Sequence, residues 1–184
     1  MIYNEKLIFV HIPKTSGGVV SYNMKRYMNA RSYKSTHYKI NKNDLGILHG
    51  RYSFAIVRNV WKAISSCWRF RYEGFRKMTD PYMDFDEFIE WNNREKFLTH
   101  QSAWFTDKGE IIIDEVIDYD DNREEKIIKI FEDNGYNQYD FTKKEKMNHY
   151  YGTYDYRDYY TPERIKKVAE YAQNDIELFN WRYE

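Results

Sequence analysis

Leu7-Ile8-Phe9-Val10-His11-Ile12 is a run of apolar, β-branched and aromatic residues that leads directly into Pro13-Lys14-Thr15-Ser16-Gly17-Gly18. A run apolar on both alternating faces reads as a buried, parallel strand. Pro13 ends it, because proline has no N–H to give a central ladder. Two glycines then let the backbone turn sharply and come close to a neighbour or ligand. A helix is expected from about Val19 to Asn29. Strand, tight glycine loop and helix in this order limit the chain to α/β architectures, with a central parallel sheet flanked by helices.

The remaining sequence extends that pattern. Residues 30–48 read as loop with a short helix. Ser53-Phe54-Ala55-Ile56-Val57-Arg58 reads as a second buried strand. Trp61, Ile64, Trp68, Tyr72 and Phe75 recur at spacings of 3 and 4, the stripe of an amphipathic helix. Asp84 and Glu87 form a capping signature for a helix through Trp91. Ile111–Ile113 and Glu115–Ile117 suggest a short strand or strand pair. A helix over Arg123–Asn134 stops at Gly135. Residues 136–160 carry no period and read as ordered loop. Thr161-Pro162 starts a final helix whose buried face is Ile165, Val168, Ala169, Ala172, Ile176 and Phe179. No Pro/Gly/Ser-rich linker or internal repeat interrupts the chain, so residues 1–184 are read as one domain.

Composition excludes several classes. With 29 basic and 29 acidic residues the formal charge is zero, against the basic excess of a nucleic-acid binder. The single cysteine, Cys67, allows no intrachain disulfide and reads as a buried structural thiol. No stretch approaches the ~18 apolar residues of a membrane span. No signal peptide is recognisable, and a cytoplasmic location is the expectation. The five histidines suggest no metal cluster, and no metal is expected.

Two segments carry the chemistry. Unpaired N–H groups at a helix start, with the helix dipole, favour an anion. That makes Pro13, Lys14, Thr15, Ser16, Gly17, Gly18 and Val19 candidates for holding a phosphate. Lysine precedes the glycines here, unlike the nucleoside-triphosphate loop in which it follows them. Arg58 stands at a strand end, where open α/β sheets bind ligands, and its fork suits phosphate oxygens. Ser66 lies eight residues on, inside the next helix, and could share that phosphate. Each has a simpler reading as well: Arg58 in an ion pair, Ser66 bonded to its own helix.

Taken together, the segment from Phe9 to Gly18 resembles the 5′-phosphosulfate loop of sulfotransferases that use 3′-phosphoadenosine 5′-phosphosulfate (PAPS), most closely the carbohydrate, Golgi-type branch. Phe54 to Trp61 followed by Ser65-Ser66 is similar to that family's 3′-phosphate motif. Asn148, Tyr159-Tyr160-Thr161-Pro162-Glu163 and Asp175 to Phe179 resemble the end of such domains. Val60 stands where the family usually has proline, and Ala63 where it often has a second arginine. The resemblance implies a P-loop-like sulfotransferase fold. It also implies PAPS as donor, adenosine 3′,5′-bisphosphate as product, and a hydroxyl acceptor, by preference on a sugar. Lys14 would neutralise charge on the leaving phosphate; residues 15–19 would hold the 5′-phosphate, and Arg58 with Ser66 the 3′-phosphate.

A hydroxyl nucleophile gains from a general base. His37, between the two motifs where related enzymes often carry a histidine, is the first candidate and His49 the second. His11 reads as a strand residue shaping the loop. Trp68, Tyr72, Trp104 and Phe105 are candidates for stacking on a sugar, with the core the simpler place for Trp68. Rival readings are a P-loop phosphotransferase, which would bind magnesium-ATP, a member that keeps the fold and nucleotide site without catalysis, and a tyrosine-rich protein–protein module.

Overall fold

A computed structural model describes residues 1–73, 81–142 and 154–184. Phe75 and Asn148, named above, lie outside the described residues, as does part of the 136–160 loop. The chain divides into two compact units, Met1–Arg58 with Ser102–Lys143, and Asn59–Gln101 with Lys144–Glu184.

The first unit is α/β and is built on a five-stranded mixed sheet. Its strands are β1 (Ile2–Tyr3), β2 (Leu7–Val10), β3 (Arg31–Ser32), β4 (Tyr52–Val57) and β7 (Glu115–Asp118), in the order β3-β1-β2-β4-β7. Strands β2, β4 and β7 run parallel, with Leu7 opposite Tyr52 and Phe54 opposite Glu115. This is the expected parallel centre. The sheet is nevertheless mixed, because β1 is antiparallel to both β2 and β3. The three residues between β1 and β2 can close only a hairpin, whereas a parallel neighbour needs a long crossover. Asn4 makes that turn: its side-chain oxygen accepts from the N–H groups of Lys6 and Leu7 at 2.9 and 2.8 Å.

Helix α1 (Gly17–Tyr27) and helix α5 (Arg123–Asp133) pack on one face of this sheet. Phe9, Phe54, Ile56 and Ile117 meet Val20, Met24, Ile127, Ile130 and Phe131 in one buried cluster. Helix α1 starts two residues before the position expected from sequence, at the first glycine itself. Helix α5 ends as expected: Gly135 is left-handed (φ 83°), and Gly135 and Tyr136 donate back to the Glu132 and Phe131 carbonyls, each at 2.9 Å. The short helix expected within 30–48 is α2 (Leu45–Leu48). The segments Ile111–Ile113 and Glu115–Ile117, expected as a short strand or strand pair, do not pair with each other. The second is β7 of the central sheet, and Ile111 instead ends β6 (Glu110–Ile111), which forms a hairpin with β5 (Thr106–Asp107). The hairpin's two-residue turn, Lys108-Gly109, is left-handed at both positions (φ 51° and 89°), which favours tight hairpin closure.

The second unit is helical. Helix α3 (Val60–Tyr72) buries Trp61, Ile64 and Trp68 along the expected stripe. Helix α4 (Phe85–Arg94) begins with a capping box, in which Asp84 accepts from the Glu87 N–H at 2.9 Å and Glu87 accepts from the Asp84 N–H at 3.0 Å. The final helix is two helices, α6 (Pro162–Tyr171) and α7 (Gln173–Phe179), broken at Ala172. The break accompanies a buried carboxylate that the apolar pattern hides: Asp175 is 1% exposed and accepts from the Gln101 backbone N–H. Cys67 is buried. Among the described residues, no helix is long and apolar enough to cross a membrane.

Candidate functional site

The carboxyl ends of β2, β4 and β7 lie side by side, since the three strands are parallel and in register. The residues just beyond them are His11 to Gly18, Arg58, and Tyr119. In an open parallel sheet this is the edge where ligands are bound.

The loop after β2 is held in an uncommon conformation. Lys14 and Ser16 are both left-handed, each with φ 65°. Non-glycine residues rarely adopt this region, and alternating backbone hands turn successive N–H groups toward a shared concavity that suits an anion. Thr15 fixes the loop from inside: it is fully buried and its hydroxyl donates to the Ile12 carbonyl at 2.9 Å. Ser16 caps α1 without a side-chain hydrogen bond, and the helix has no acidic residue in its first turn. A helix start without its own anion is electrostatically suited to receive one.

His11 explains the first glycine. Its ring is 7% exposed, stacks on Phe9 at 5.3 Å, and has Nδ1 3.1 Å from the Ser21 hydroxyl. A Cβ on Gly17 would lie 2.0 Å from His11 Cδ2. Burial, and then the neighbouring His37, push the His11 pKa down to about 2, so the ring is neutral in ordinary conditions. His11 therefore supports the loop, as its position in the sequence suggested.

His37 is brought to the same place. Its ring centroid lies 4.3 Å from that of His11, and its Nδ1 is 3.0 Å from the His11 carbonyl oxygen. A carbonyl can only accept, so Nδ1 carries the proton. The neutral ring then keeps its lone pair on Nε2, while its surface stays accessible to solvent. Loss of hydration around the ring lowers the His37 pKa, outweighing the opposing pull of the hydrogen bond to His11. His49 is placed differently. It is exposed and precedes β4, at the amino end of the sheet. The six residues of β4 separate it from Arg58, about 20 Å of strand at 3.3 Å per residue.

Arg58 reaches back to the loop: Nη1 donates to the Lys14 carbonyl at 3.2 Å, and its guanidinium lies 4.3 Å from the centre of the Tyr119 ring. Arg123, the first residue of α5, stacks on the same ring at 3.6 Å and donates to the Tyr119 carbonyl. Tyr119 and Arg123 were missed from sequence. Their signal was positional, a tyrosine directly after a parallel strand and an arginine at the following helix start. The motif residues thus separate. Residues 13–19 and Arg58 belong to the first unit, with His37. Ser66 belongs to the second, half-buried on α3 beside Ser65, whose hydroxyl bonds back to the Trp61 carbonyl at 3.0 Å.

The two departures from the motif, Val60 and Ala63, are fully buried in the first turn of α3, where each packs as an apolar side chain. Three of the proposed sugar-stacking aromatics are core residues instead: Trp68, Trp104 and Phe105 are 7%, 2% and 0% exposed. Tyr72 is half-buried. Comparison of the chain with protein-family models, with curated proteins and with solved structures gives no match.

Proposed function

We propose that the chain is a sulfotransferase that uses PAPS as donor and a hydroxyl, by preference on a carbohydrate, as acceptor. The observation that carries this reading is the convergence of a glycine loop poised for an anion, the Arg58 guanidinium and the neutral His37 ring at one edge of the parallel strands. The motif resemblance supports it independently, and with it a P-loop-like sulfotransferase fold. The loop fits a phosphate on its own chemistry: a helix start with no side-chain cap, no competing acid, and a glycine that the packing of His11 requires.

In this reading, residues 15–19 hold the 5′-phosphate through backbone donors and the Ser16 hydroxyl, while the Thr15 hydroxyl stays committed to the Ile12 carbonyl. Lys14 neutralises the charge left on that phosphate when its bond to sulfur breaks. Arg58 grips the 3′-phosphate. His37 Nε2 takes the acceptor proton as the acceptor oxygen bonds to sulfur, leaving a sulfate ester and adenosine 3′,5′-bisphosphate. Such catalysis is mainly positioning and charge stabilisation.

Calorimetric titration with adenosine 3′,5′-bisphosphate, beside ATP with and without magnesium, tests the reading. Tight, metal-independent binding of the bisphosphate is the expected result. Preference for magnesium-ATP would make the chain a phosphotransferase. Bisphosphate binding without turnover across an acceptor screen would make it a non-catalytic nucleotide binder, and binding of neither would remove the nucleotide site.

A further inference from the structure

We propose that the cleft at the opposite edge of the sheet, beneath the β1–β2 turn, binds an acidic saccharide: a sugar ring bearing a carboxylate or a sulfate. The cleft measures about 620 Å³ and is lined by Tyr3, Tyr27, Arg31, Arg51 and Tyr136, with Glu5 its one carboxylate. That volume lies within the range of small-ligand sites. It lies wholly within the first unit, at the amino ends of β2 and β4, away from Lys14 and Arg58.

Its charge is the first argument. The Arg31 and Arg51 guanidiniums lie 5.0 and 6.0 Å from the centre of the same Tyr3 ring. Neither forms an ion pair among the described residues, although the chain has as many acids as bases. Arg51 is fixed in place, its Nε donating to the Asn4 carbonyl at 2.8 Å and its Nη1 to the Ile47 carbonyl at 2.9 Å. A guanidinium has five N–H donors, so most of this fork remains to meet a carboxylate or sulfate. Two cations without an ion pair, beside a single carboxylate in a concave site, mark it for an anion.

Its lining is the second argument. Three tyrosines and Asn29 line the cleft, residue types that give and accept hydrogen bonds in both senses, as a ring studded with hydroxyls requires; the Tyr27 and Tyr136 hydroxyls also bond to Tyr22 and Asn4. Stacking surface is already in use: Tyr3 carries the two arginines, Lys6 lies over Tyr136 at 5.6 Å, and Tyr27 meets Tyr22 edge-on at 6.3 Å. The cleft therefore suits a polar, hydroxylated anion better than a nucleobase. This inference holds whether or not the chain transfers sulfuryl groups.

The test is titration of the full chain with a tetrasaccharide of alternating glucuronate and sulfated N-acetylhexosamine. A neutral cello-tetraose, inorganic sulfate and adenosine 5′-phosphate serve as comparisons. Arg31 is exposed, so Arg31→Glu should keep the thermal midpoint, and Arg31→Lys serves as the conservative control. The expected result is binding of the acidic tetrasaccharide alone, weakened about tenfold or more by Arg31→Glu, as for loss of a charge-assisted contact, and largely restored by Arg31→Lys. No binding, equal binding of the neutral sugar, or binding indifferent to Arg31→Glu would overturn the proposal. Sulfate binding as tightly as the tetrasaccharide, or adenosine phosphate displacing it, would also overturn the saccharide assignment.

Discussion

The edge of the His11 imidazole fills the space that any side chain at position 17 would need, with only 2.0 Å left between its Cδ2 and a Cβ placed there. Gly17→Ala should therefore displace the ring, which stacks on Phe9, or the start of α1. Overpacking of this kind costs about 1–3 kcal/mol. Thermal unfolding should show a lowered midpoint, and bisphosphate affinity should fall with it. Gly46→Ala is the control: nothing lies within 4 Å of a Cβ at that position, and its midpoint should hold or rise slightly. Equal effects at the two sites would remove His11 from the account of the loop.

Arg58 meets both the Lys14 carbonyl and the Tyr119 ring, so replacing it tests two things at once. Arg58→Lys keeps the charge but loses the planar fork. Under the proposed function it should weaken adenosine 3′,5′-bisphosphate by roughly tenfold to a hundredfold, the range of a charged hydrogen bond, and adenosine 5′-phosphate much less. Parallel losses for both nucleotides would show that Arg58 acts through the loop rather than on the 3′-phosphate.

His37→Ala should lower turnover by about a hundredfold or more, as for loss of a general base, with bisphosphate binding intact. The base works in its neutral form, and the His37 pKa lies below the ordinary histidine value. The acid limb of the rate profile should accordingly fall below about pH 6.5, the unperturbed histidine pKa. A profile unchanged in the variant would exclude His37 as the titrating group.

His11 makes the fold itself pH-dependent. Its folded pKa of about 2 is well below the unfolded value of about 6.5. Between these values the unfolded chain binds the extra proton, so stability rises with pH, is complete above about 6.5, and is lost as pH falls below it. His11→Asn keeps a polar atom facing Ser21 and removes this titration. Denaturant unfolding from pH 7 to 5 should show the native chain losing up to about 1.4 kcal/mol per pH unit more than the variant. Identical slopes would mean that His11 titrates alike in the folded and unfolded chain.

How far these groups could be read from the sequence depends on what fixed each of them. The two central strands were legible because burial on both faces writes an uninterrupted apolar run, as in Phe54-Ala55-Ile56-Val57. The capping box at Asp84 and the stop at Gly135 were legible because caps are local. The β1–β2 hairpin was not, since two residues carry no period; only the Asn4 turn could have announced it. The break at Ala172 was hidden because Ile176 continues the apolar spacing across it, while the burial of Asp175 depends on Gln101, 74 residues away. The same distinction runs through the candidate site. Lys14 to Gly18 and Arg58 are adjacent in motifs, whereas the placing of His37 against His11 and of Tyr119 beside Arg58 arises only when segments separated in sequence are laid side by side. His49 shows the converse, a histidine between the same motifs that the direction of β4 carries to the other end of the sheet.

The order β3-β1-β2-β4-β7 leaves, among the described residues, two outer strands that are poor templates for recruiting another chain. One is the two-residue Arg31–Ser32, exposed and led by a guanidinium; the other, Glu115–Asp118, starts and ends on a carboxylate. Short length and charge are the means by which open sheets resist edge-to-edge growth. The long apolar strands most prone to self-association, β2 and β4, are kept inside, each with a neighbour on both sides. The fold thereby shields its own sequence from fibrillar stacking, and that shield rests largely on a hairpin whose first strand is two residues long.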